Sequence, residues 1–307
     1  MVNHLVESQQ LTKELMFSLF SRADELRDER KKYSKILDGR ILATLFYEPS
    51  TRTRLSFESA MMRLGGNVIS TENAKEYSSA IKGESIEDTI RTVGSYSDCI
   101  VIRHYEEGTA KKASKISKVP IINAGDGKGQ HPTQALLDAY TIYREIGRLD
   151  NFKIAMVGDL SSGRTVRSLC YLFGKFENIK IIFVSPENLR MKEDIKDYLN
   201  KHNVQFNEEN NLNSILPEVD IAYMTRIQKE RISLEDYEKA KGKYIINSEN
   251  LNLIKSDARI LHPLPHVEEI DIPIKIEEND SRIAYFRQVE NGLYIRMSLL
   301  SFLMNSN

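Results

Sequence analysis

The chain alternates almost from end to end between short apolar runs of strand length and amphipathic segments of helix length, and this alternation most constrains its fold. Strand-like runs fall at 41–47, 67–70, 99–103 and 119–123 in the first half, and at 153–158, 180–185, 220–225 and 258–262 in the second. Helical patterns lie at 11–33, 52–64, 85–96, 133–147, 163–174, 189–202 and 233–241. Parallel strands need a crossover between them, usually a helix, so this order predicts parallel sheets covered by helices on both faces. Two blocks of strands in 307 residues predict an α/β protein of two doubly wound parallel-sheet domains. The first is expected over 1–132 and the second over 133–287, with 133–147 as the crossover helix joining them. A final helical segment, 288–307, is too short for a domain and is expected to pack back on the first.

Composition narrows the function classes. Forty-three basic side chains against 44 acidic ones give no reason to expect a nucleic-acid or membrane surface. No apolar run approaches the ~20 residues of a bilayer span, and residues 1–10 lack the apolar core of a secretory signal. Cys99 and Cys170 are isolated, lie in apolar stretches and have no metal-ligand spacing, so both read as small buried side chains. A cytoplasmic enzyme without a metal or other cofactor is the expectation.

In open parallel sheets, ligands bind beyond the carboxyl ends of the strands, and five polar motifs sit at or near such ends. The run Ser50-Thr51-Arg52-Thr53-Arg54 lies between the strand 41–47 and a helix whose apolar positions are Leu55, Phe57, Ala60, Met61 and Leu64. Unpaired N–H groups and the positive end of the dipole point outward at such a helix start, and hydroxyls with an Arg fork suit a phosphate there. The plainer reading is a helix capped by Ser50 or Thr51 with surface arginines. Arg103-His104 ends the strand 99–103, where the Arg could face the same anion or be an ordinary surface charge. A Gly-rich loop, Gly127 to Gln134, leads into a helix, with His131 before Pro132 and Gln134 three residues on. Ser78 to Glu84 is a polar loop before a helix. His262-Pro263-Leu264-Pro265 stiffens a strand exit. A further turn, Gly158 to Thr165, is one residue from a phosphate-binding P-loop, but Arg164 stands where the P-loop has Lys and no Gly-x-Gly-x-x-Gly is present.

Together these residues resemble the aspartate/ornithine carbamoyltransferase family. Tyr47 to Gly66 is similar to its carbamoyl-phosphate signature and Gln130 to Asp138 to its His-Pro-x-Gln helix, and the likeness extends over nearly the whole chain. Ornithine-type members usually have Cys where this chain has Pro263 and lack an equivalent of Lys82. Aspartate-type members carry Thr-Arg-x-Gln after a strand, present here as Thr225-Arg226-Ile227-Gln228, and an Arg at the position of Arg164. A dicarboxylate substrate needs cationic forks, whereas ornithine's ammonium would need an acidic partner. The resemblance therefore implies transfer of the carbamoyl group of carbamoyl phosphate to the α-amine of L-aspartate, an early step of pyrimidine biosynthesis. The alternatives are an ornithine-type or other amino-acid carbamoyltransferase, or a non-catalytic carbamoyl-phosphate-binding protein.

The same resemblance implies the roles. Ser50, Thr51, Arg52, Thr53 and Arg103 would hold the phosphate, and His131 with Thr53 and Arg103 would donate to the carbonyl oxygen as it becomes an oxyanion. Gln134 would orient the carbamoyl amide, with Pro263 and Leu264 also touching carbamoyl phosphate. Arg164, Arg226, Gln228 and Leu264 would bind aspartate. Ser78 and Lys82 would enter from a neighbouring subunit of a homotrimer, Lys82 serving both substrates. Glu48 is a candidate to pair with Arg164 and Arg231 on domain closure. Family trimers often assemble with zinc-bearing regulatory chains, a possible partner here. Two departures stand out: His266 replaces a frequent Arg, and Ser161-Ser162 replaces a Lys-Tyr pair of allosteric members.

Overall fold

The computed structural model describes residues 3–72, 83–227, 235, 237 and 242–305. Ser78, Lys82, Gln228 and Arg231 lie outside the described residues, as does nearly all of the helical pattern at 233–241. The chain divides into two compact units, one of the described residues up to Leu137 together with those from Glu290, the other of Asp138–Val289.

In the first unit, helix α1 (Lys13–Asp28) starts at Thr12, whose hydroxyl accepts from the Leu15 N–H at 3.2 Å. Strands β1 (Ile41–Phe46), β2 (Asn67–Glu72), β3 (Cys99–His104) and β4 (Ile121–Asp126) form a parallel sheet in the order β2-β1-β3-β4. The central strands β1 and β3 are nearly continuous apolar runs because both of their faces are covered. Helices α2 (Thr51–Arg63), α3 (Ile86–Val93) and α4 (Thr109–Ile116) lie along the chain between the strands. Helix α4 is absent from the sequence expectations, because its inward face is Ala110 and Ala113, too small to mark an apolar period. Strand β4 also departs from expectation, running to Asp126 rather than 123. The added end pairs with β3, where His104 meets Asp126 past a register shift, while Leu5 bridges the free side of β4, donating to Ile121 O at 2.9 Å and accepting from Asn123 N at 2.8 Å.

Helix α5 (Pro132–Ile146) carries the chain into the second unit. There β5 (Lys153–Val157), α6 (Arg164–Phe173), β6 (Lys180–Val184), α7 (Glu193–Lys201), β7 (Gln205–Glu209), α8 (Leu212–Ile215), β8 (Ile221–Met224), β9 (Ile246–Asn247) and β10 (Arg259–Leu261) follow. The main sheet is parallel in the order β10-β8-β5-β6-β7, and β9 pairs separately with β11 (Ile270–Asp271). Strand β7 is Gln-Phe-Asn-Glu-Glu at the sheet edge, half exposed, so its composition hides it from a search for apolar runs. Short helix α9 (Ile274–Glu277) precedes α10 (Tyr285–Asn305). From Glu290 onward α10 belongs to the first unit, where the Ser298 hydroxyl donates to Leu19 O at 2.8 Å and Arg27 donates to Asn291 Oδ1.

Each sheet reverses its direction of growth once. In the first, the chain moves outward from β1 to β2 and returns to β3 on the other side of β1; in the second, β5 leads outward to β6 and β7, and β8 returns beside β5. The crevices where ligands bind in such sheets are therefore at the exits of β1 and β3, and of β5 and β8. No described helix is long and apolar enough to cross a membrane.

Candidate active site

The exit of β1 leads through Tyr47, Glu48 and Pro49 to Ser50 at the N-cap of α2. Ser50 forms no side-chain cap bond, whereas Thr12, Ser85 and Asn211 each cap their own helices. No acidic side chain occupies the first turn of α2. This helix start thus keeps its positive character and a Ser50 hydroxyl that makes no cap bond, contrary to the plainer capping reading. Thr51 and Arg52 are exposed there and Thr53 is buried. Arg54 instead turns to its own unit's acids, donating to Glu72 Oε2 at 2.8 Å and to Glu58 Oε1 at 3.4 Å.

The exit of β3 is bonded to the exits on either side of it. Tyr47 N donates to Arg103 O at 2.9 Å, and Gly127 N donates to His104 O at 2.9 Å. The Arg103 guanidinium lies 3.4 Å from Glu48 and 3.4 Å from Ala124 O, a pairing of Glu48 that the sequence did not suggest. His104 accepts at Nδ1 from Glu106 N at 3.0 Å, and burial holds its pKa below the ordinary imidazole value. After β4, Asp126 clamps the loop by accepting from Gln130 N at 2.9 Å and from Gly108 N at 2.9 Å. His131 is buried with Nδ1 3.3 Å from the Thr133 hydroxyl, and its carbonyl accepts from Gln134 N at 3.0 Å, so the ring stands at the start of α5. Ser50 to Thr53, Arg103, and His131 with Gln134 thus gather at three neighbouring strand exits of one sheet.

In the second unit Arg164 is the first residue of α6, after the Gly158–Gly163 turn, and Arg226 follows β8. They stand at the exits of adjacent strands. Asp159 orders the turn, its Oδ1 accepting from the Ser161 hydroxyl and the Ser162 N–H, both at 3.0 Å. Gly158 has φ 117°, and a Cβ there would lie 2.2 Å from Thr225 O. This close backbone approach is why Gly stands where a phosphate loop might be suspected. Thr225 binds Val157 O twice, through N at 2.8 Å and through Oγ1 at 2.7 Å.

The loop after β10 is fastened by its own first residue. His262 Nδ1 accepts from Leu264 N at 2.8 Å, so the ring proton is on Nε2, which meets Glu269 Oε1 at 2.8 Å. Burial opposes ionisation of Glu269, yet the hydrogen bonds it accepts from His262 and from backbone N–H groups outweigh burial and hold the carboxyl below its ordinary value. Leu264 packs on the core of this unit, and His266 lies 3.6 Å from Glu277. Position 266 therefore serves a local contact with Glu277 and an aromatic contact with Tyr285.

Neither cysteine offers a nucleophile: both are fully buried, and burial pushes their thiols well above the ordinary range. Among the described residues no group of three or more His, Cys, Asp or Glu could hold a metal ion. The polar residues that brace these exits, Asp126, Asp138 and Gln288, escaped the sequence reading. Asp138 closed the Gln130–Asp138 segment and Gln288 opened the final helical pattern, and neither carried a mark of its bonding partner.

Both halves of the chain match known proteins. Residues 3–144 match the carbamoyl-P binding domain of aspartate/ornithine carbamoyltransferases, and residues 150–303 match their Asp/Orn binding domain. Aspartate carbamoyltransferase 2, chloroplastic, of Pisum sativum is 54% identical over 99% of this chain and 79% of its own length. The crystal structure of the catalytic subunit of M. jannaschii aspartate transcarbamoylase superposes with a TM-score of 0.91 at 48% identity, over 100% of this chain and 99% of that one. Aspartate transcarbamoylase from Trypanosoma cruzi, solved with carbamoyl phosphate and aspartate, gives a TM-score of 0.89 at 35% identity over 97% of this chain and 94% of that one. With both halves matched in order, the chain belongs to the aspartate/ornithine carbamoyltransferase family.

Proposed function

We propose that this chain is an aspartate carbamoyltransferase, transferring the carbamoyl group of carbamoyl phosphate to the α-amine of L-aspartate and releasing N-carbamoyl-L-aspartate and phosphate. One observation carries the substrate reading. Each sheet's switch point is lined by anion-binding groups, an uncapped helix start with Arg52 in one and Arg164 with Arg226 in the other. The first suits a phosphate monoester and the second a dicarboxylate. In this reading Ser50, Thr51, Arg52, Thr53 and Arg103 bind the phosphate, with Pro263 and Leu264 against the carbamoyl end. Arg164, Arg226, Gln228 and Leu264 hold aspartate.

The α-amine's lone pair forms the new C–N bond at the carbonyl carbon, the bond from that carbon to the phosphate oxygen breaks, and the amine proton leaves with the departing phosphate. A hydroxyl of Thr133 donating to His131 Nδ1 leaves the proton on Nε2, the donor that the developing oxyanion requires. Gln134 orients the carbamoyl amide, and fixing two substrates in register supplies much of the remaining rate. Ser78 and Lys82 are proposed to act from a neighbouring chain of a homotrimer, and a cytoplasmic location belongs to the same reading, with the chloroplastic relatives naming the competing compartment.

Purified protein given carbamoyl phosphate with aspartate or with ornithine tests the assignment. N-carbamoyl-aspartate is the expected product, and citrulline at a comparable rate would overturn it. For site sharing, Arg52→Ala and Lys82→Ala chains are dissociated and remixed. Partial return of activity is expected; none, with subunit exchange confirmed by mass, defeats the shared site alone.

A further inference from the structure

Gln288 is 1% exposed, on the last helix, where an apolar side chain would satisfy packing. Burying a carboxamide is costly unless both ends are bonded, and both ends of this one are. Its Nε2 donates to Asp138 Oδ1 at 2.6 Å, and its Oε1 accepts from the His262 N–H at 2.9 Å. Because a carboxylate only accepts, Asp138 dictates which end of the amide faces His262. Asp138, itself 0% exposed, accepts at Oδ2 from the Tyr223 hydroxyl at 2.7 Å. All four residues lie in the second unit, near the points where its chain begins and ends.

Two segments converge on this one carboxylate. Tyr223 is in β8, two residues before Thr225 and three before Arg226. His262 opens the loop that carries Pro263 and Leu264, and its ring fastens both Leu264 N and Glu269. We propose that Asp138 and Gln288 are positioning residues for aspartate: they hold the exit of β8 and the start of the 262–265 loop in one register, so that Arg226 and Leu264 meet the same substrate. This rests on the reading of function above. Neither residue touches substrate in this account. Their effect passes through the backbone of His262 and the hydroxyl of Tyr223.

The test swaps the polarity of the pair and is read at pH 8. Gln288→Glu sets two carboxylates against each other at the 2.6 Å contact. Adding Asp138→Asn restores a donor there, with the Asn oxygen still accepting from Tyr223. Gln288→Met keeps the volume and removes both bonds. Gln288→Glu and Gln288→Met are expected to raise the KM for aspartate tenfold or more, with carbamoyl-phosphate affinity within about threefold of wild type, since its phosphate contacts lie in the other unit. The double variant should return to within about threefold of the wild-type KM. A wild-type aspartate KM in both single variants, even with lowered thermal stability, overturns the proposal and leaves a purely structural network. So does a double variant no better than Gln288→Glu. Should Gln288→Glu not fold, Gln288→Met and the double variant still decide. A wild-type protein that forms no N-carbamoyl-aspartate defeats the functional reading instead.

Discussion

Gly158→Ala places one methyl group against the backbone that carries Arg226. A Cβ at residue 158 would lie 2.2 Å from Thr225 O and 2.6 Å from Thr225 Oγ1, where ordinary contact begins at 3.4 Å. The obstacle is main chain, tied to Val157 O by two bonds of 2.8 and 2.7 Å, so it cannot swing aside like a flexible side chain. The exit of β8 must therefore move by roughly 1 Å, or the φ of 117° must relax and carry the Asp159 turn with it. The backbone conformation alone costs a non-glycine residue about 1–3 kcal/mol, and overlap in a close-packed interior adds about 1–3 kcal/mol. A total of roughly 2–6 kcal/mol is expected, read as a shift in the urea midpoint. A displacement of ~1 Å at Arg226 should also lower kcat/KM for aspartate by about 10²-fold. Carbamoyl-phosphate binding, measured by titration, should be nearly unchanged, because the residues proposed to hold its phosphate sit on the other sheet. A loss under about 0.5 kcal/mol together with an unchanged aspartate response would refute the argument from close approach.

His131→Ala should leave carbamoyl-phosphate binding in place and lower turnover by about 10²-fold, the usual cost of an oxyanion donor; a variant that no longer binds carbamoyl phosphate in titration would make the residue a ground-state ligand. Arg226→Ala should raise the aspartate requirement by about 10²-fold while sparing inhibition by phosphate, and an unchanged saturation curve would place the substrate carboxylate elsewhere. Glu145, met by Arg259 at 2.9 Å and by Arg287 at 2.7 Å, is held below its ordinary pKa of 4.5, since burial raises the value but the two guanidiniums outweigh it. Its contribution to stability is therefore present above the unfolded value and lost as pH falls through the lower folded one. Glu145→Gln should cost roughly 1–3 kcal/mol at pH 7 and flatten the acid limb of the stability curve; parallel limbs in the two proteins would show that the carboxyl does not titrate as described.

Strands β1 and β3, which carry much of the proposed site, were legible from the sequence because they are central. Ile-Leu-Ala-Thr-Leu-Phe and Cys-Ile-Val-Ile are buried on both faces, so their apolar runs follow from position in the sheet. Strand β7 and helix α4 had no such signature. The strand is half exposed and polar, and the fully buried residues of the helix are the small Thr109, Ala110 and Ala113, so neither leaves a clear apolar period to find. Hydroxyls and guanidiniums at Ser50–Arg54 were legible as candidate anion groups because they stand between an apolar run and a helix start, whereas Arg164 and Arg226 were singled out through the family resemblance. Which guanidinium stays at the strand exits was not: Arg52 and Arg54 are two residues apart, and only packing shows Arg54 turned to Glu58 and Glu72.

The sequence by itself determined chain order, the two parallel α/β blocks and the residue types available at each strand exit. All three depend on local periodicity and on short spans of chain. Tertiary structure decided which exits are adjacent, which donors are already committed and what holds them. Ser50 as an open N-cap, Glu48 against Arg103, and Gln288 joined to Asp138 across 150 residues are of this kind. Hydrogen bonds act over about 3 Å whatever the separation along the chain, and strand order brings those partners within that reach.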